Sequence, residues 1–370
     1  MQLTIAKASL AKTLSHLHRV VEKKSTIPVL SNIKIEAGKD LRLSATNIDL
    51  EIVEDVEAKI QTKGSTTIPA HVFYDIVRKL PDGDIELKTE GSGSKVVIKG
   101  GQAEFTLPAL PSDDFPLMSG SSMPFKFKLA AADLIKLIDK TKFAVSTEET
   151  RYFLNGIFLH IVEAKGSEFL RAVATDGHRL ARQDVAAPAD AKGMPSIIVP
   201  RKVVTELRTL LDDAPVDISV EVSETKARFS FGAITLTSKL IDGKFPDYEK
   251  VIPTSNDKSL EADCKQFAES VDRVSAITYE KSKAVKLKLG KSKLTLLAST
   301  PDSGSAFEDL EVTYDSGSIE IGFNSRYLLD IAEQIDGKFM RFMISDASSP
   351  AIITELDDAS AVYVLMPMRI

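Results

Sequence analysis

The residues best suited to chemistry lie in Ala174-Thr-Asp-Gly-His-Arg-Leu-Ala181. His178 is a candidate general base and Asp176 a candidate to orient it, the pairing that a hydrolase would use. Such a base needs a nucleophile or a metal within hydrogen-bond reach, and the sequence marks neither. It contains no Gly-x-Ser-x-Gly and no His-Glu-x-x-His, and His16, His18, His71 and His160 are scattered. Leu289-Gly-Lys-Ser292 has the ending of a phosphate loop, but Val285 stands where the first glycine must be, within a strand-turn-strand pattern. Gly91-Ser-Gly-Ser-Lys95 also lies between strands and reads as a turn. Asp113-Asp114 sits beside prolines with no partner for acid-base work. Cys264 is the single cysteine, which excludes an internal disulfide and a cysteine-rich zinc site; it reads as a small buried residue at a helix start. No catalytic residue, cofactor or metal is expected.

Weaker copies of the same stretch flank it: Ala45-Thr-Asn-Ile-Asp-Leu-Glu51 upstream and Ala298-Ser-Thr-Pro-Asp302 downstream. The histidine occurs only in the middle copy. Three apolar helix patterns keep the same spacing, opened by Ile68-Pro69, Val199-Pro200 and Phe323-Asn324. Leu107-Pro-Ala-Leu-Pro-Ser-Asp-Asp-Phe-Pro116 likewise corresponds to Thr237-Ser-Lys-Leu-Ile-Asp-Gly-Lys-Phe-Pro246. A unit of roughly 125 residues therefore occurs three times, with expected domains 1–122, 123–254 and 255–370.

A chain of 370 residues that is 43% hydrophobic can fill two or three cores. Met1-Gln-Leu-Thr-Ile-Ala alternates like a strand rather than a secretory signal, and no apolar run reaches membrane-spanning length, so a soluble cytoplasmic protein is expected. The net charge of −6 argues against a nucleic-acid partner only if the charge is evenly spread.

It is not evenly spread. The first predicted helix, 7–24, carries the stripe Leu10, Leu14, Leu17 and Val21, with Lys7, Lys12, His16, Arg19, Lys23 and Lys24 off it. A second-unit helix over 131–142 has the stripe Leu134, Leu137, Ile138 and Thr141 and places Lys136 and Lys140 outward. The helix after Pro200 puts Arg201, Thr205 and Arg208 on one face, with Lys202 beside them. Third-unit helices over 263–277 and 325–336 are less basic. Acids gather in strands and loops, among them Glu51, Glu54, Asp55, Glu57, Asp113 and Asp114. If the basic helices share one surface, that surface is positive on a negative protein; solvated helix faces fit the same charges equally well.

Short strands with period-two alternation fill the rest, as in antiparallel sheet wet on one face. Strand, helix and several strands follow one another twice per unit. The expected fold is α+β, each unit made of two βαβββ halves with two helices on one sheet face. The chain closes on Ala361-Val-Tyr-Val-Leu-Met-Pro-Met-Arg-Ile370. Val362 and Val364 fit a last core strand, whereas Met366-Pro-Met368 lies past the proline that ends pairing and suits a surface groove for varied apolar partners.

Taken together, Arg151-Tyr-Phe-Leu-Asn-Gly156, Ala174–Ala181, Ile198-Val-Pro-Arg-Lys202, Thr237–Tyr248 and Tyr363–Arg369 resemble the bacterial DNA polymerase III beta subunit family of sliding clamps. The resemblance implies a head-to-tail homodimer, a ring of six similar domains around double-stranded DNA, with helices lining the hole and sheets outside. It implies a non-enzymatic processivity factor in DNA replication. Lys12, Lys24, Arg78, Arg201 and Lys202 would face DNA through sequence-independent phosphate contacts. A docking cleft for short apolar peptides of the replicative polymerase, clamp loader, translesion polymerases and repair proteins would comprise Leu154, Thr175, Gly177, His178, Arg179, Leu180, Pro246, Val251, Val364, Met366, Pro367, Met368 and Arg369, edged by Ser349. Phe105 and Leu107 would meet Ala276 and Ile277 of the other subunit. Two competing readings are a hydrolase using Asp176 and His178, and a repeat scaffold that binds proteins but never DNA.

Overall fold

The computed structural model describes residues 1–23, 25–118, 122–164, 166–214, 216–278, 283–300 and 304–369. Strand, helix and three strands recur six times along them. The first repeat runs β1 (Gln2–Ala6), α1 (Lys7–Leu17), β2 (Asn32–Ala37), β3 (Leu41–Thr46), β4 (Leu50–Val56). After a short extra strand β5 (Lys59–Thr62) it continues β6 (Gly64–Pro69), α2 (Ala70–Lys79), β7 (Asp84–Glu90), β8 (Lys95–Gly100), β9 (Ala103–Pro108). The second runs β10 (Phe125–Ala130), α3 (Ala131–Asp139), β11 (Gly156–Ala164), β12 (Ser167–Thr175), β13 (Arg179–Ala186), then β14 (Ile197–Pro200), α4 (Arg201–Leu210), β15 (Asp217–Val222), β16 (Lys226–Phe231), β17 (Ile234–Lys239). The third runs β18 (Lys258–Asp263), α5 (Cys264–Ser275), β19 (Ala284–Gly290), β20 (Lys293–Thr300), β21 (Gly304–Glu311), then β22 (Ile319–Asn324), α6 (Ser325–Ala332), β23 (Phe339–Ile344), β24 (Ala351–Glu355), β25 (Ala361–Leu365).

In all six halves the strand passes into its helix with no intervening loop. Asp263 and Asn324 mark two of these junctions chemically: their side chains accept from the Gln266 and Arg326 amides, both at 3.0 Å, capping α5 and α6. The helices bury apolar stripes, including Leu10, Leu14 and Leu17 of α1, Phe73 and Val77 of α2, and Phe267, Val271 and Val274 of α5, while Val72 of α2 is exposed. Each such side chain contributes about 1.5–3 kcal/mol of burial.

The pairings are antiparallel, and the architecture is α+β. Two compact units result. One comprises Met1–Ala132, Pro188–Pro195 and Lys202–Leu240; the other comprises Asp133–Ala187, Ser196–Arg201 and Ile241–Ile370. The first holds the sheets β5-β1-β7-β8-β9 and β10-β15-β16-β17-β4-β3-β2-β6. The second holds β14-β11-β12-β13-β25-β24-β23-β18 and β21-β20-β19-β22. Sheets thus cross repeat boundaries: β17 pairs with β4, and β13 pairs with β25.

Four helices are shorter than their periodicity predicts. The helix expected over 7–24 stops at Leu17, where the His18 ring nitrogen Nδ1 lies 2.8 Å from the Leu14 carbonyl and Val20 bonds back to Leu17 in a turn. Val21 is buried all the same, so apolar spacing outlasts the helix. The helix expected over 131–142 ends at Asp139 because the Thr141 hydroxyl donates to the Leu137 carbonyl at 2.6 Å and the last turn tightens. That expected over 325–336 ends at Ala332, with Gln334 and Ile335 bonding three residues back. The one expected over 263–277 is Cys264–Ser275, with Asp263 and Ala276 as its caps. Strands β5, β6 and β13 carry too many polar residues to stand out in the sequence.

Candidate functional site

The Thr175-Asp176-Gly177-His178 turn joins β12 to β13. Asp176 Oδ1 accepts from the backbone amides of His178 (2.9 Å) and Arg179 (3.0 Å), and Thr175 Oγ1 donates to the Arg179 carbonyl at 2.7 Å. The first-repeat copy is built alike: Asn47 Oδ1 accepts from Asp49 and Leu50, and Thr46 Oγ1 donates to the Leu50 carbonyl. The shared Thr-Asx pair is therefore a hairpin device. The third copy is incomplete here, since Pro301 and Asp302 lie outside the described residues. Ile48 takes a φ of 79° where Gly177 takes 88°, a conformation that glycine adopts without strain. Asp176 is occupied by backbone and by Arg179 Nε (3.1 Å), and the His178 ring stacks over Tyr327 with centroids 6.4 Å apart. A catalytic Asp–His pair is not formed.

Arg179 is a strut. Its guanidinium bonds to Asp176, to Asp330 on α6 and to the Phe143 carbonyl (2.7 Å). It also lies between the rings of Tyr327 (4.2 Å) and Phe143 (5.1 Å). Burial first, and then the Asp176 charge, push the Tyr327 hydroxyl above its ordinary range.

Beside this strut, Arg151, Phe153, Leu154, Thr175, Gly177, His178, Arg179, Leu180, Pro246, Asp247, Tyr248, Val251, Val364 and Met366 line a cleft of about 390 Å³. Its floor includes Leu180 on β13 and Val364 on β25, which oppose each other in the sheet. Beneath lies a cluster of Leu154, Val173, Leu180, Ile198, Phe245, Tyr248 and Val364. One wall is the segment after β17, with Phe245 stacked on Phe158 at 4.7 Å. A Cβ on Gly177 would stand 2.6 Å from Arg151 Nη1, a flexible side-chain end that could swing aside, so the φ of 88° is what calls for glycine here. Glu148 pairs with Arg151 at 2.6 Å, and this hydrogen bond holds its carboxyl below the usual range.

Pro367, Met368 and Arg369 line a second, more polar pocket of about 530 Å³ with Lys286, Glu320, Ile321, Gly322, Ala347 and Ser348. The Met366 amide donates to the His178 carbonyl (2.9 Å) and that of Met368 to Gly322 (2.8 Å), so the tail runs from one pocket to the other. Ser349 lines neither pocket; its hydroxyl donates to Asp346 at 2.7 Å. Sequence reading missed Arg151, Phe153, Asp247 and Tyr248 as wall residues, although all four stand inside the quoted motifs.

Among the basic residues, Lys12 on α1 and Arg78 on α2 are exposed, and Lys24 lies outside the described residues. Lys202, exposed on α4, reaches the Val20 carbonyl at 3.3 Å, and Arg19 pairs with Glu206 at 2.9 Å. The segment after α1 thereby ties α4 to α1, while His71 on α2 approaches the Val21 carbonyl at 3.1 Å. Arg201 opens α4, its amide bonded to the Asn155 carbonyl. The outward face expected for Lys136 and Lys140 is not formed: Lys136 pairs with Asp358 (3.1 Å), and Lys140 is buried against Asp336 (2.6 Å). Both lysines serve packing, because carboxylates supplied from distant sequence meet them.

Phe105 and Leu107 lie on β9, an edge strand, with Phe105 exposed. Ala276 caps α5, and the Ile277 carbonyl accepts from Thr300. Phe307, missed in the sequence, is 73% exposed on the edge strand β21. It falls in register with Ser305, Asp309 and Glu311, and an aromatic on that polar face was the available signal. Among the described residues, no group of three or more His, Cys, Asp or Glu is placed to hold a metal, and no helix is long and apolar enough to cross a membrane.

Family models for the N-terminal, central and C-terminal domains of the DNA polymerase III beta subunit match residues 1–119, 128–247 and 249–369. The sequence is 48% identical over 372 residues to the Beta sliding clamp of Caulobacter vibrioides, covering all of both chains. A crystal structure of the sliding clamp from Bartonella birtlesii bound to griselimycin is similar with a TM-score of 0.97 at 48% identity, over the whole of both chains. A Caulobacter crescentus beta sliding clamp with PEG bound gives 0.98 at 48% identity, over 100% of this chain and 99% of that one.

Proposed function

We propose how this chain works from the premise that it belongs to the DNA polymerase III beta subunit family and is a DNA sliding clamp, a non-catalytic processivity factor of replication. It encircles DNA and partners a polymerase. Two chains, each of three clamp domains (1–122, 123–254 and 255–370), close head to tail into a ring with helices inward. Each chain offers the free edges of β9 and β21 with Phe105 and Phe307 exposed on them, and folded proteins seldom leave such edges uncovered. Ala276 and Ile277 belong to the same contact. Lys12, Lys24, Arg78, Arg201 and Lys202 meet phosphates of duplex DNA without reading sequence, and loose, screened contacts let the ring slide. The ring works in the cytoplasm.

The observation that carries the partner reading is the apolar cleft of about 390 Å³. Ten of the residues expected from sequence to dock peptides line it together: Leu154, Thr175, Gly177, His178, Arg179, Leu180, Pro246, Val251, Val364 and Met366. Pro367, Met368 and Arg369 extend it along the tail, with Ser349 at the loop beyond. It accepts short apolar segments of the replicative polymerase, the clamp loader, translesion polymerases and repair proteins, and also griselimycin. A few anchor side chains dominate such docking. The test is loading onto nicked circular DNA by a clamp loader. The protein is expected to survive a salt wash on circles and to leave once they are linearised. Equal retention on linear DNA with free ends refutes encirclement.

A further inference from the structure

Behind the cleft wall, and outside the cleft itself, lies a buried polar cluster. Arg171 on β12 is held bidentate by Asp184 on β13, at 2.7 and 2.8 Å. Its Nη1 donates to the Tyr248 hydroxyl at 3.1 Å and reaches Glu249 at 3.4 Å. His160 on β11 places Nε2 3.0 Å from the same hydroxyl. The antiparallel register puts His160, Arg171 and Asp184 directly opposite one another on one sheet face. Tyr248 therefore has two ends: its ring lines the cleft, and its hydroxyl is fixed from behind.

Arg171 can only donate, so the Tyr248 oxygen accepts from it, and the phenol proton lies within reach of His160 Nε2 at 3.0 Å and of Glu249 Oε1 at 3.4 Å. His160 Nδ1 is buried without a partner among the described residues, so the ring engages the hydroxyl through Nε2 alone. Burial first, and then the Arg171 charge, lower the His160 pKa to about 4, in keeping with a neutral ring. Burial alone would lower the Arg171 pKa, but Asp184 and the Tyr248 hydroxyl outweigh it and the net shift is upward. The remaining charges here are Glu249, largely exposed, and Arg182 on β13, whose burial lowers its pKa.

We infer that Arg171, Asp184 and His160 are positioning residues for peptide docking: they clamp the Tyr248 hydroxyl and so hold the Pro246–Val251 wall in its binding position. The inference rests on the reading of the cleft as the docking site. Phe245 and the Tyr248 ring pack into the apolar cluster, which sets how deep the wall sits; the directional bonds of the hydroxyl to Arg171 and His160 add the orientation that apolar contacts lack. Preorganised walls bind more tightly because less order is lost on binding.

The test uses the full-length chain and labelled griselimycin. Tyr248→Phe keeps the ring and deletes the clamp; binding is expected to weaken about tenfold, the scale of one lost buried hydrogen-bond relay. His160→Leu is expected to weaken it similarly and His160→Gln, whose amide restores a polar partner for the hydroxyl, to recover most of the loss. The double variant Tyr248→Phe/His160→Leu should be no worse than either single one, because both remove the same link. Amide exchange over 246–252 should quicken in the weakened variants and not in His160→Gln. Leu180→Glu, which blocks the cleft floor, is the control. If Leu180→Glu abolishes binding while Tyr248→Phe binds as the parent does, the positioning role is overturned and the cleft stands. If Leu180→Glu still binds, the cleft reading falls and this inference with it.

Discussion

Replacing Arg179 tests whether the docking hairpin is held by a buried ion-pair strut or merely bordered by a charged side chain. The Arg179 side chain is 10% exposed, and its partners Asp176 and Asp330 are 18% and 26% exposed. Arg179→Ala leaves both carboxylates without their counter-charge, opens the Phe143 carbonyl and empties the space between two rings. Breaking a buried pair in this way costs about 3–5 kcal/mol, more than the pair's net worth, because the stranded charges stay desolvated. Arg179→Lys keeps the charge but cannot span three acceptors and two ring faces, so roughly half that loss is expected. The control is Arg151→Ala: its pair with Glu148 is 35% and 52% exposed, and solvent screens such a pair, so little stability is expected to be lost. Urea unfolding followed by far-ultraviolet circular dichroism gives the three differences, and amide exchange localises them to β13 and α6. A loss for Arg179→Ala no larger than that for Arg151→Ala would refute the strut.

Gly177→Ala forces a side chain into a backbone of φ 88° and displaces the Arg151 guanidinium, so it is expected to lower stability by about 1 kcal/mol and to weaken griselimycin binding several-fold. Fluorescence anisotropy reads it; unchanged affinity speaks against the close approach. Lys202→Glu and Arg78→Glu should each weaken DNA retention and reduce the salt dependence of binding by about one phosphate contact, a slope change near 0.9. A slope that stays the same removes that residue from the DNA-facing set. Burial raises the Cys264 thiol to about 11 from its ordinary 9.0. Iodoacetamide should therefore label it in unfolded but not native protein at pH 8. Because the folded state favours the protonated thiol, its contribution to stability is intact below pH 9 and declines as pH climbs toward 11; Cys264→Ala should flatten that decline.

Much of the fold was readable because its signals are local. Leu134, Leu137 and Ile138 stripe a helix, strand alternation marks sheet faces, and the Thr-Asx pairs at 46–47 and 175–176 build their hairpins from hydrogen bonds spanning at most four residues. Helix ends were less legible. His18 and Thr141 terminate their helices through side-chain contacts to carbonyls four residues back, and apolar spacing continues past both. Among the cleft residues, ten were expected from the sequence, whereas Arg151, Phe153, Asp247 and Tyr248 were missed although they stand inside the motifs, because a motif does not tell which of its side chains face the groove.

The amino-acid order by itself determined the threefold repeat, the βαβββ half-units and the apolar character of the tail, since within each unit these depend on residues near one another in the chain. Which charges are spent inside the protein was decided only by folding. Lys140 looks like an outward lysine until Asp336 meets it, Arg179 looks like a rim cation until Asp330 and Phe143 enclose it, and Arg171 is unremarked until β11, β12 and β13 set His160 and Asp184 opposite it. Partners brought from distant sequence set the solvation of a charge, and solvation depends on the assembled surroundings rather than on the residue's own neighbours.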